Sequence, residues 1–440
     1  MRTATGVCAL VAAGLLAWGI YSSPQRSTAA NPEPEAGAQA SPAKEVAPAT
    51  KIADEAPKPG EIRPFVHKGL SWLVEAQHPD GGWGGGSHAN QQERDPHKVQ
   101  TDPATTAFSA LTLLRAGHTP VSGDYQRAVK LATLYLVKAV ETSSDDGPKI
   151  TEITGTQPQS KLGPLVDTSM TAQFLARVFP LVPKENELHK RVDAALEKCL
   201  KKLQIAQNED GSWTAGGWAP VLQSSLSCSA LELAQAAGKD VDKQKLQAAR
   251  QYQKSNVSAA TGAASATDAA GVELYSFAGA QRGNAAEARV ADDLVKNAKA
   301  EGKLSPDAEV SEESLQKLGI SQDRARTLGG AAMQNSAQIA RLDDENLLAG
   351  FGNNGGEEFL SYLLTSESMV IAGGENWSKW NDKMHVRLEK IQNSDGSWSG
   401  HHCITSPVFC TAAVLQCLTT DRDAPVLLAI AKAAAETEMK

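Results

Sequence analysis

"QNSDGSW" (Gln392–Trp398) follows one helix-like stretch and precedes another, and it has two relatives upstream. These are Gln77-His78-Pro79-Asp80-Gly81-Gly82-Trp83 and Gln207-Asn208-Glu209-Asp210-Gly211-Ser212-Trp213. Gln, Asp-Gly and Trp keep their offsets while the residues between them vary, so the motif is an internal repeat rather than a lone turn. Each part has a physical job. Asp-Gly offers the left-handed turn that stops a helix, Gln can bond the backbone groups freed there, and Trp lays a large apolar plate over the junction. Gln77, Trp83, Gln207, Trp213, Gln392 and Trp398 therefore read as structural repeat turns, not as ligand-binding residues.

Behind each turn comes a helix nearly free of charge: 102–117, 221–238 and 406–418. Three further segments, 165–179, 267–280 and 355–374, have the same character without the preface. A helix apolar nearly all round is buried nearly all round. Between them lie amphipathic stretches at 61–77, 123–141, 186–206, 241–254, within 285–342, and at 377–392. In the second of these, Tyr125, Val129, Ala132, Leu136 and Val140 recur at three- and four-residue steps, the period of a one-sided helix. Outer and inner elements thus alternate along 61–440, with almost no strand signal. Uncharged inner helices favour a closed ring over an open stack, which would expose them.

The N-terminus reads differently. Arg2 precedes the apolar run 6–21, which has the form of a secretion signal and is just under the length of a membrane span. Residues 1–30 are therefore expected to be a cleaved signal peptide or a retained anchor, the only membrane contact foreseen, and the protein to be exported to the periplasm or cell envelope. Residues 31–60, rich in Pro, Ala and Glu, read as a linker unable to bury a core. The net charge of −8, with no basic cluster, argues against nucleic acid. Beyond Cys8, five cysteines remain: Cys199, Cys228, Cys403, Cys410 and Cys417. Two readings stand, a Cys403–Cys410 bridge and five small buried thiols.

Gln-x-x-Asp-Gly-x-Trp followed by a Thr/Ser-Ala-rich inner helix resembles the prenyltransferase and squalene oxidase repeat family, which includes squalene-hopene cyclases and protein prenyltransferase beta subunits. The resemblance implies an all-α fold, an α/α toroid of about six outer–inner helix pairs around a central cavity. The stretch 373–398 also looks like exported bacterial proteins carrying these repeats.

In such a ring the starts of the inner helices share one rim. Asp102, Asp167, Asp268, Glu357 and Glu358 stand at or near those starts, and His402 in the loop before the last. Capping free N–H groups accounts for Asp102, Asp167 and Asp268. Glu357 and Glu358, in "NNGGEEF" (353–359), are the stronger site candidates. The cyclase motif Asp-x-Asp-Asp-Thr-Ala finds its nearest match at 102–107, where Ala104 and Thr105 replace the central acids, so Asp102 is expected to lack the neighbouring carboxyl that keeps a proton donor protonated. The zinc set of prenyltransferases is broken too, since Ser169 stands where the Cys after Asp167 belongs, leaving Asp167, His402 and Cys403 as an incomplete triad. The thioester loop of complement-like proteins, Gly-Cys-Gly-Glu-Gln, lacks its Cys and Gln here. No nucleotide loop, serine-hydrolase or zinc-protease signature occurs. The expectation is a non-catalytic exported toroid, without cofactor or metal, that binds a lipid-like, peptide or cell-surface partner in its cavity or on its rim. The alternative is a diverged cyclase-like or isoprenoid-processing enzyme. The charged stretch 302–320 is expected to be an insertion.

Overall fold

The computed structural model describes residues 57–438, so the signal or anchor reading of 1–30, Cys8, and all but the end of the 31–60 linker lie outside the described residues. The helices, in chain order, are α1 (Pro64–Glu75), α2 (Pro103–Arg115), α3 (Gln126–Thr142), α4 (Gln157–Lys161), α5 (Val166–Val178), α6 (Glu187–Ala206), α7 (Pro220–Ala236) and α8 (Lys243–Ser255). The second half adds α9 (Glu273–Ala300), α10 (Glu312–Lys317), α11 (Gln322–Arg341), α12 (Glu345–Leu348), α13 (Gly356–Ala372), α14 (Asn376–Glu389), α15 (Pro407–Leu418) and α16 (Ala424–Glu438). Among the described residues there are isolated bridges but no strands. No helix among them is long and apolar enough to cross a membrane.

The fold is an all-α toroid. Its inner helices α2, α5, α7, α9, α13 and α15 pack each against the next, and α15 returns to α2. Every residue of α2, α7, α13 and α15 is buried except two at the end of α7, as their lack of charge foretold.

All three turns work alike. The indole N–H of Trp83, Trp213 and Trp398 donates to the carbonyl of Leu73, Leu203 and Leu388 on the preceding outer helix at 2.8–2.9 Å. Their backbone N–H groups donate to Thr106, Ser224 and Thr411 on the following inner helix, each at 2.9 Å. The glutamines reach further: Gln77, Gln207 and Gln392 donate to Ala128, Lys245 and Phe65 on the adjacent outer helix of the ring at 2.8–3.0 Å. Each motif therefore clamps three helices rather than the two expected, and the third joins the last outer helix α14 to the first, α1. Glycine is required twice over at these turns. At Gly211 φ is 88°, and a Cβ would stand 2.2 Å from the Ala248 carbonyl on that adjacent outer helix.

Two features depart from expectation, and one of the two cysteine readings is met. The fourth inner helix begins at Glu273 rather than near 267 and continues to Ala300, so 285–300 belongs to α9 and the outer position is filled by α11. Residues 302–320 form α10 and its flanking turns, packed through buried Leu304 and Leu315 against α9 and α11, not a free insertion. The Cys403–Cys410 bridge is not formed: Cys403 sits in the left-handed region at φ 56°, and the Cys410 thiol lies 3.5 Å from the Ile404 carbonyl. All five are buried thiols, and burial pushes each one up.

Candidate functional site

The starts of the inner helices share one mouth, and α4, a single turn, lies across it. Its Thr156–Gln159 capping box fixes it locally. Its other groups are bound by different inner-helix starts. Gln157 Oε1 accepts from Thr405 and Ser406 N–H before α15, at 2.7 and 3.0 Å. Gln159 Nε2 donates to Asp167 Oδ2 on α5 at 2.7 Å. The Lys161 carbonyl accepts from Trp218 and Ala219 N–H before α7, at 2.9 and 2.7 Å.

Of the candidate acids, Asp102 and Asp167 form one group. Asp102 accepts from Thr105 N–H (2.8 Å), Thr105 Oγ1 (3.0 Å) and Gly85 N–H (2.7 Å). Asp167 does not cap its own helix; its Oδ1 accepts from Ala104 N–H on α2 at 3.0 Å, so it caps its neighbour. Asp102 therefore has the neighbouring carboxyl that its own motif denied it. Burial, and then the Asp167 charge, push Asp102 up, and burial pushes Asp167 up as well. A cleft of about 300 Å³ opens beside Asp167, walled by Lys149, Ile153, Ser160, Pro164 and Gly217. The larger groove of about 690 Å³ between α3 and 143–152 holds none of the candidates.

Glu357, Glu358 and His402 form the second group, on the first turn of α13 and in the loop before α15. Both glutamates are fully buried. Glu357 Oε2 accepts from Ile404 N–H at 3.1 Å, and Glu358 Oε1 accepts from Tyr275 Oη (2.5 Å) and Phe351 N–H (2.9 Å). Glu357 Oε1 and Glu358 Oε2 have no hydrogen-bond partner, and Glu358 Oε2 lies 3.7 Å from His402 Nε2. Asp268 belongs to neither group. It lies in the turns before α9 rather than on it, and accepts from Tyr252 Oη at 2.8 Å.

Burial, and then Glu358, push Glu357 up to about 8. A folded-state pKa raised above the unfolded value gives stability that is complete below the unfolded pKa and is lost as pH rises through about 8. The melting temperature should therefore fall between pH 6 and pH 9, and by less in Glu357→Gln. An equal fall in both proteins, followed by circular dichroism, would show Glu357 ionised throughout.

The opposite end of the ring was not anticipated. A chain of alternating charges crosses it: Arg250–Glu232 (2.8 Å), Glu232–Arg282 (2.7 Å), Arg282–Glu367 (4.0 Å), Glu367–Arg115 (2.6 Å), Arg115–Asp423 (2.7 Å) and Asp423–Arg177. From Asp423, α16 runs against α7, α9 and α13, over the same end. Lone charges in otherwise uncharged inner helices, such as Arg115 in "LTLLRAG" and Glu367 in "LTSESMV", were the signal available in the sequence.

Residues 52–147, spanning the first Gln–Trp turn, α1, α2 and α3, match the family model described as the squalene-hopene cyclase C-terminal domain. Over those residues the chain is similar to that family. Among solved structures, the chain is similar to the type II terpene cyclase MstE from Scytonema in its apo form, at 12% identity and a TM-score of 0.37, over 82% of this chain and 97% of that one. No curated protein matches it. Both carboxylate oxygens of Asp167, the acid of the incomplete zinc set, are engaged by Ala104 and Gln159. Among the described residues no cluster of three or more His, Cys, Asp or Glu side chains is arranged to hold a metal.

Proposed function

We propose that the chain is an exported, non-catalytic toroid that binds a lipid-like, peptide or cell-surface partner on the rim formed by the starts of its inner helices. The observation that carries this reading is the closure of that mouth by α4, bonded to the starts of α5, α7 and α15. A polyene folding for cyclisation needs a dry, apolar chamber reached through an open mouth, with a proton donor aimed into it. Here Asp102 is spent on backbone and hydroxyl donors, and the far end of the ring is crossed by charged side chains. The apolar run 6–21 supports export. Mass spectrometry of the chain recovered from the cell envelope tests that half: cytoplasmic recovery alone would refute it.

The test of the other half is incubation of the purified protein with squalene and oxidosqualene, followed by gas chromatography. No cyclised product is expected. One observation favours the alternative of a diverged cyclase-like enzyme: Glu357, up to about 8, is a carboxyl held protonated at neutral pH with Oε1 unengaged. Product formation that disappears in Glu357→Gln would establish that reading in place of the first.

A further inference from the structure

Over the Glu357–Glu358 pair stands an aromatic shelf. Trp218 and Phe351 meet at 5.2 Å with their planes 80° apart, Phe351 meets His402 at 5.3 Å and 73°, and Tyr275 lies 6.5 Å from Trp218 on the inner side. Phe351 is 56% exposed, an unusual position for a large apolar ring. The backbone of 349–356 lies directly on the acids. A Cβ at Gly350 or Gly355 would stand 2.5 Å from a Glu358 carboxylate oxygen, and one at Gly352 would stand 3.2 Å from the His402 ring.

We propose that this shelf, Trp218, Phe351 and His402 over Glu357 and Glu358, is a binding site for an organic ammonium group. Three observations converge. Aromatic faces attract cations through the ring quadrupole, and two walls near a right angle enclose one better than a single face. Behind the walls both carboxyl groups are fully buried, and Glu358 Oε2 accepts no hydrogen bond and is faced by His402 Nε2 at 3.7 Å, so a positive group at the shelf would complete its surroundings. A cation already stands at the edge: the Lys161 ammonium lies over the Trp218 ring, 5.1 Å from its centroid. A metal ion would find rings in place of lone-pair donors on one side, whereas a weakly hydrated ammonium loses little by leaving water for them. Lys161 is the last residue of α4, so an incoming ammonium competes with the helix that closes the mouth.

This inference rests on the rim-binding reading and names the chemistry the partner would present. The test is calorimetric titration of the full-length protein with phosphocholine and, separately, with N-acetyl-lysine methylamide, against sodium chloride at equal ionic strength. Saturable binding of phosphocholine, whose quaternary ammonium is the weakly hydrated one, is expected with the salt inert, placing a lipid headgroup at the shelf, and tighter binding of the lysine amide would overturn that source. Phe351→Ala, an exposed position that leaves folding intact, should raise Kd at least tenfold, as should Glu358→Gln. Lys161→Gln should lower Kd several-fold by removing the resident competitor, a change that a merely structural lysine would not produce. No saturable binding by either the natural protein or Lys161→Gln overturns the inference, as does binding indifferent to Phe351→Ala. A cyclised product from squalene would sink the rim-binding reading itself, whatever the calorimetry gives.

Discussion

Trp398→Ala is expected to destabilise the toroid by about 3–5 kcal/mol, the range for replacing a buried large aromatic by alanine. Its side chain is completely buried, against Gly69 of α1 and near the Phe65 ring at 6.3 Å. Its indole N–H holds the end of α14 through Leu388. Alanine would lose the burial of the largest side chain type, leave a cavity between α1, α14 and α15, and strip the Leu388 carbonyl of a partner. Since α1 and α14 are the first and last outer helices, the cavity opens at the seam where the ring closes. Equilibrium denaturation of both proteins measures the difference, and a loss below about 1 kcal/mol, the scale of an ordinary surface change, would show that the indole does not bear on the seam.

Six helix pairs were legible in the sequence because the signals that specify them are short-range. A turn written within seven residues, with a charge-free helix behind it, can be read without knowing what it touches, and all three Gln–Trp turns formed as read. Their third contact, from glutamine to the adjacent outer helix, was not legible. Gln392 and Phe65 are 327 residues apart, and nothing local to either names the other. The same holds for the mouth. Thr156–Gln159 announces a capped helix, but that the helix spans the ring depends on Gln157 meeting Thr405, 248 residues away. Asp102 illustrates the limit from the opposite side. Within its own motif it stands without a second acid, and the carboxyl that lies beside it comes from the next inner helix, where sequence offsets carry no information about proximity. The acids at 357 and 358 were legible as a pair because they are adjacent, while the rings over them come from three different loops and helices.

The charge chain at the far end yields the second large effect. Arg115, buried in α2, uses its whole guanidinium: Nε donates to Asp423, Nη1 to the Gln416 carbonyl at 3.0 Å, and Nη2 to Glu367. In Arg115→Met the volume is nearly kept, but Glu367 is left with Arg282 at 4.0 Å, and Asp423 with Arg177 alone. Removing one partner of a buried ion pair costs about 3–5 kcal/mol because the remaining charge stays out of water unpaired. Since Asp423 is the residue from which α16 departs, the loss should appear first there, as faster amide exchange in α16 than in α2. Replacing Glu367 by Gln in the same chain should recover part of the loss by removing one stranded charge. The outcome also bears on what the ring contains. A chamber built to hold a hydrocarbon would accept methionine at its wall at no cost or with a gain, so unchanged or raised stability in Arg115→Met would restore the interior as a place for an isoprenoid. A loss of the expected size, partly recovered by Glu367→Gln, leaves the axis as ion-paired scaffold and confines binding to the rim.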